Sequence, residues 1–148
     1  MATFNAPDLN SKPMPMGGYG NMNVVFGTVT PTAGALADVY RPVRIPAGMT
    51  VTSLEIVNDD LDSNGTPLIA CKIGYEPVNA SDGPTADDDF FVVAGSTILR
   101  SAARTAMNFQ PIKFEKDVWV TVTLSAAAAT FATGKVTAIV TGEATGVK

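Results

Sequence analysis

Apolar and polar side chains alternate over short stretches of this chain, and turn residues interrupt them at close intervals. Residues 24–30 (VVFGTVT) are rich in β-branched side chains and stop at Thr30-Pro31. In residues 37–45, Val39, Arg41, Val43 and Ile45 fall on one alternation and Asp38, Tyr40, Pro42 and Arg44 on the other. Pro42 has no N–H to give a ladder, so this strand belongs on a sheet edge or breaks there. After the turn Pro46-Ala47-Gly48, residues 50–58 set Thr52, Leu54 and Ile56 against Val51, Ser53, Glu55 and Val57. Residues 67–75 form an apolar run suited to a central strand, and 90–93 a short strand after a long loop over 76–89. Alternation is clearest in 117–125, where Val118, Val120, Val122 and Leu124 oppose Trp119, Thr121 and Thr123. Together with 109–114 it predicts a hairpin across Glu115-Lys116, and 136–141 predicts the last strand. Only 96–107 reads as helix, with Ser96 as cap and Ile98, Leu99, Ala102 and Ala103 as an approximate apolar face.

About eight strands at this spacing predict an all-β fold, an antiparallel β-sandwich or barrel. Its expected core includes Leu54, Ile56, Ile69, Cys71, Val118, Val120, Val122 and Ile139. Residues 1–22 stand apart. They hold methionines, Pro7, Pro13 and Pro15, and three glycines, so neither a helical nor a strand period survives. Phe4, Met14, Met16 and Tyr19 are apolar anchors on a backbone without regular structure. The division expected is an extended N-terminal arm, 1–22, and a sandwich domain, 23–148. The arm's anchors are expected to contact a partner surface, because methionine adapts to irregular pockets.

Composition narrows the function. Charged residues make up only 16 % of the chain, below the roughly 25 % usual in soluble domains, which suits a surface partly covered by another chain. The net charge is −4 and the ten basic residues are scattered, so no footprint for nucleic acid or an anionic membrane exists. No run of ~18 apolar residues predicts a membrane span. The leader lacks the basic start and apolar stretch of a signal peptide, and the chain reads as made and kept in a cytoplasm. A lone cysteine, Cys71, cannot form an internal disulfide and sits in an apolar run, as a small buried side chain would.

Candidate chemistry is sparse. The sequence has no histidine, so no Ser-His pair can form, and an enzyme is not expected. Asp60-Leu-Asp-Ser-Asn-Gly65 matches the opening of a calcium loop, but the position needing a bidentate glutamate is Cys71. The same letters make a good turn, since Asx side chains bond their own backbone and Asn-Gly accepts positive φ. The turn is expected, with no metal or other cofactor. Nine of the fourteen acidic residues fall between Glu55 and Asp89, where only Lys72 is basic. Within them Asp87, Asp88 and Asp89 are expected to be solvated, or to pair with a partner's arginines. A glycosidase pair needs two carboxyls fixed in a cleft, which a flexible acidic loop does not provide.

Three stretches carry a resemblance: Asp38-Val-Tyr-Arg-Pro-Val-Arg-Ile-Pro-Ala-Gly-Met, Asp60-Leu-Asp-Ser-Asn-Gly-Thr-Pro and Ile73-Gly-Tyr-Glu-Pro. With the strand Trp119-Val-Thr-Val-Thr and the Ala/Thr/Gly-rich segment after it, they resemble the cement or decoration proteins of tailed bacteriophages with HK97-like capsids. That resemblance implies a jelly roll, often dimeric or otherwise homo-oligomeric, without catalytic residues. Its partner would be the major capsid protein, and its place the outer surface of a virion assembled in the host cytoplasm. A head-fibre or tail component, or a ligand- or glycan-binding sandwich, are the alternatives.

Overall fold

The computed structural model describes residues 1–10 and 22–146. Eleven strands run in chain order: β1 (Thr3–Asn5), β2 (Met22–Val29), β3 (Val39–Arg41), β4 (Arg44–Ile45), β5 (Met49–Asn58), β6 (Ala70–Pro77), β7 (Asp87–Ser96), β8 (Ala103–Ala106), β9 (Ile112–Phe114), β10 (Val118–Ala126) and β11 (Val136–Ala144). They form two sheets packed as a jelly-roll-like sandwich. The first has the order β1-β3-β10-β6-β7, with β4 also on β10; the second is β2-β11-β5-β8, with β9 also on β5. All pairings are antiparallel except β1 on β3. The chain crosses repeatedly from one sheet to the other, so both inner faces are needed to close one core. Leu54, Ile56 and Val140 meet Ile73, Val118, Val120 and Val122 there, all without exposed surface. Full burial of one such side chain is worth roughly 1.5–3 kcal/mol.

Alternation placed seven of the eight expected core residues inside. Ile139 is the exception: Val136, Ala138 and Val140 face inward, and Ile139 shares the outer face with Thr137 and Thr141. Two strands change phase part-way. In β5 Met49 and Val51 point inward, then Leu54, Ile56 and Asn58; the extra residue is a bulge at Thr52, opposite the step from Thr141 to Gly142. At Pro42 the chain also breaks, as a missing donor requires. Tyr40 and Ile45 both end up buried, whereas one unbroken strand would set them on opposite faces.

The helix expected at 96–107 is replaced by strand. One 3₁₀ turn, Ile98–Arg100, inserts Leu99 into the core, and β8 then pairs with the end of β5. Asn58, itself buried, donates Nδ2 to the carbonyls of Ile98 at 3.0 Å and Ser101 at 2.9 Å, which holds that turn against the sheet. A weak apolar face cannot compete with a paired edge. The hairpin across Glu115-Lys116 does not form either. Strand β9 lies on β5 in the second sheet and β10 in the first, so these residues cross between sheets. Asp117 anchors the crossing, accepting the Ala47 amide at 2.7 Å and pairing with Arg44.

Candidate functional site

The start of the leader belongs to the sandwich. Strand β1 adds to the edge of the first sheet, where the Ala2 amide donates to Asp38 Oδ1 at 2.6 Å and the Ala6 amide to the Arg41 carbonyl at 3.0 Å. Ala6 and Leu9 are buried, and Phe4 meets Tyr40 edge-on with ring centroids 5.7 Å apart. Three residues of strand fit before Pro7, which the proline spacing concealed. Phe4 therefore contacts the chain's own sheet, and residues 1–10 lie over it as a strap. Met14, Met16 and Tyr19 lie outside the described residues.

Asp87, Asp88 and Asp89 sit at the start of β7, not in a loop; the connection between β6 and β7 is shorter than 76–89. Lys72 pairs with Asp88 at 2.6 Å, and Asp87 Oδ1 accepts the Asp89 amide at 3.4 Å. Here β7 is heavily bulged: Tyr75 pairs with Asp87 but Ile73 with Val92. The slack lets the backbone of Asp87 and Asp88 lie over Gly74, where a built Cβ would stand 2.0 Å from the Asp87 carbonyl oxygen. Only glycine leaves room for that crossing.

Strap and acidic run form opposite walls of one groove of about 910 Å³ on the outer face of the first sheet. Met1 and Thr3 line one wall, Asp87 and Asp88 the other, and Thr121 and Thr123 belong to the floor. Beside it the Arg41 guanidinium lies 4.4 Å from the centroid of the Trp119 ring and pairs with Glu76. Among the described residues neither Trp119 Nε1 nor the buried Thr121 hydroxyl has a hydrogen-bond partner. Salt-bridged charges make the groove nearly neutral, and apart from its threonine hydroxyls and charged rims its lining is largely apolar. Its alternation was visible in sequence, but the Arg41–Glu76 pairing was not, because the two residues come from strands β3 and β6 on either side of β10.

The outer face of the second sheet has the opposite character. Met22, Val24 and Phe26 are exposed on β2, beside Ile139 on β11. Gly27 faces inward because the Pro42 carbonyl packs on it; a built Cβ would be 2.1 Å from that oxygen. This phase, with Val24 and Phe26 out and Gly27 in between the buried Val25 and Val29, was the available signal, and the β-branched composition of the segment masked it.

Asp60–Gly65 is a chain of Asx turns. Asp60 Oδ1 accepts the Asp62 amide at 2.9 Å and Asn64 Oδ1 the Thr66 amide at 2.9 Å. Asp62, 1 % exposed, accepts four more amides: Leu68 at 2.8 Å, Ile69 at 3.0 Å, Ala129 at 2.9 Å and Thr130 at 2.8 Å. Burial alone would raise its pKa. The amides of Thr130, Ala129, Ile69 and Leu68 outweigh that and hold the carboxyl well below the usual range. Its lone pairs are spent on backbone, and no group of three His, Cys, Asp or Glu side chains able to hold a metal occurs among the described residues. Burial pushes the Cys71 thiol up to about 12, which makes it inert as a nucleophile at neutral pH.

No protein-family model matches the sequence, nor does any curated protein. Three solved structures share the fold nearly end to end. A chain from the capsid of Ralstonia phage GP4 matches with a TM-score of 0.76 and 18 % identity, over 96 % of this chain and 97 % of that one. One from the Cyanophage Pam1 capsid asymmetric unit matches with a TM-score of 0.69 and 26 % identity, over 93 % and 98 %. One from the acidic stable capsid of Helicobacter pylori bacteriophage KHP30 gives 0.54 and 14 %, over 88 % and 93 %.

Proposed function

We propose that this chain is a structural virion protein of a bacteriophage that binds the outer capsid surface and bridges neighbouring capsomers. The observation that carries the reading is the end-to-end match, at 26 % identity, to a chain of the Cyanophage Pam1 capsid. That match covers 93 % of this chain and 98 % of that one. The sandwich supplies a rigid body, tied at its N-terminus by β1. Its uncharged outer stripe of Met22, Val24 and Phe26 offers apolar area to the shell or to a second copy. Contacts that are weak singly become strong when many copies bind a closed lattice. The role needs no catalysis, and the carboxylates of Asp62, Asp87, Asp88 and Glu76 are occupied by salt bridges and backbone amides.

A ligand-binding module is the second reading, favoured by the groove over the first sheet. Its neutral hydroxyl floor would suit an uncharged polar ligand, but Arg41 covers a face of Trp119 that a sugar would use for stacking. Co-sedimentation separates the two. A cement protein pellets with capsids at a fixed ratio to the major capsid protein, while a module of the second kind stays in the supernatant unless its ligand is present.

A further inference from the structure

We propose that Asn64–Gly65 is a self-modification site, at which the folded chain converts asparagine to aspartate and isoaspartate through a cyclic imide. No other asparagine in the sequence precedes glycine. Both residues are exposed, and a Cβ built on Gly65 meets nothing within 4 Å. The Gly65 nitrogen is therefore unhindered as a nucleophile.

The surrounding turn prepares the electrophile. The Thr66 amide donates to Asn64 Oδ1 at 2.9 Å, where negative charge develops when Cγ is attacked. The leaving nitrogen, Nδ2, donates to Thr130 Oγ1 at 3.2 Å; once attack on Cγ gives that nitrogen a free lone pair, the hydroxyl can turn, donate the proton that ammonia must take and recover one from water. Asp62 fixes the two loops against each other by accepting the Ala129 and Thr130 amides.

The step balances without a redox partner. Solvent hydroxide removes the Gly65 amide proton, the nitrogen bonds to Asn64 Cγ, and the Cγ–Nδ2 bond breaks to release ammonia. Water then opens the imide at Cγ, restoring a normal peptide bond with aspartate, or at the backbone carbonyl, leaving isoaspartate. Either product adds a carboxylate beside Asp60 and Asp62, and isoaspartate also lengthens the backbone by one carbon. Thr130 acts as a positioning residue for the leaving group.

Incubation of the intact protein at mildly alkaline pH, with tryptic mapping of residues 45–72 by mass spectrometry and an isoaspartate-specific methylation assay, tests this. The native chain is expected to convert Asn64, and Gly65→Ala, which has room for its methyl, to slow the conversion. Thr130→Val keeps every backbone bond and is expected to react about tenfold more slowly, because the bond strengthens as ammonia leaves, while the melting temperature changes little because the bond is exposed in the folded chain. Thr130→Ser should restore the rate. If native protein keeps Asn64 intact while urea-unfolded chain loses it, the fold protects the site and the proposal fails. Equal rates for Thr130→Val and the unsubstituted chain would likewise overturn the activation by this turn.

Discussion

Replacing Asp62 is expected to be among the most damaging single substitutions in this protein. Its carboxylate gathers amides from two loops, at Leu68 and Ile69 on one side and Ala129 and Thr130 on the other, within 3.0 Å. Hydrogen bonds to a charged acceptor contribute roughly 1.5–3 kcal/mol each. The sum over four is an upper bound, because water can reach the exposed amides of Ala129 and Thr130 once the side chain is gone. Ile69 is fully buried and its N–H would be left bare. Asp62→Ala should therefore cost about 3–5 kcal/mol, the worth of about two such bonds once water has recovered the exposed amides. Asp62→Asn should cost about 2–3 kcal/mol, since its amide group turns a donor toward donors. Urea titration measures both: the midpoint should fall while the slope stays constant. The pH dependence supplies a second check. A carboxyl held below its unfolded value of about 3.9 adds stability above that pH, and the contribution is lost progressively as pH falls below it. The unsubstituted protein should lose stability over that acid range more steeply than Asp62→Ala. Stability of Asp62→Ala within about 1 kcal/mol of the parent would refute the reasoning, because even two of these bonds are worth more.

Three further outcomes follow from the same geometry. Millimolar calcium should leave the melting temperature unchanged, because Asp62 is saturated by backbone amides; a rise of several degrees reversed by chelator would contradict this. Gly27→Ala should destabilise by about 1–3 kcal/mol in denaturant titration, as the added methyl collides with the Pro42 carbonyl. Deleting residues 1–10 should lower stability by several kcal/mol, roughly 1.5–3 for Leu9 alone with Phe4 and β1 in addition, and an unchanged urea midpoint would show that the strap is not structural.

Where one face of a strand was wholly apolar, sequence alone was sufficient. In β10 four inward side chains alternate with Trp119, Thr121 and Thr123, and no other phase buries them. In β11 both phases offered apolar side chains, and the size of Ile139 pointed to the wrong one; Thr137 and Thr141 on the same face were the better signal. The break at Pro42 was legible from its missing N–H, whereas the phase change at Thr52 came from a bulge that only the partner strand reveals. The helix expected at 96–107 shows tertiary pairing overriding a local pattern, since the edge of β5 and the Asn58 amide are distant in sequence. Of the surface features, the turn at Asp60–Gly65 was legible because Asx residues act locally. The groove was not, since its walls, β1 and β7, lie about 80 residues apart in the chain.

The central claim is attachment to the outside of a capsid, and binding to capsids stripped of this protein tests it most directly. Purified protein added to such particles should bind saturably, at a fixed ratio to the major capsid protein, and appear as density on the outer surface by electron microscopy. Val24→Asp, at an exposed position on β2, should weaken that binding without changing the melting temperature. Absence of binding to capsids, or density confined to the tail, would contradict the account.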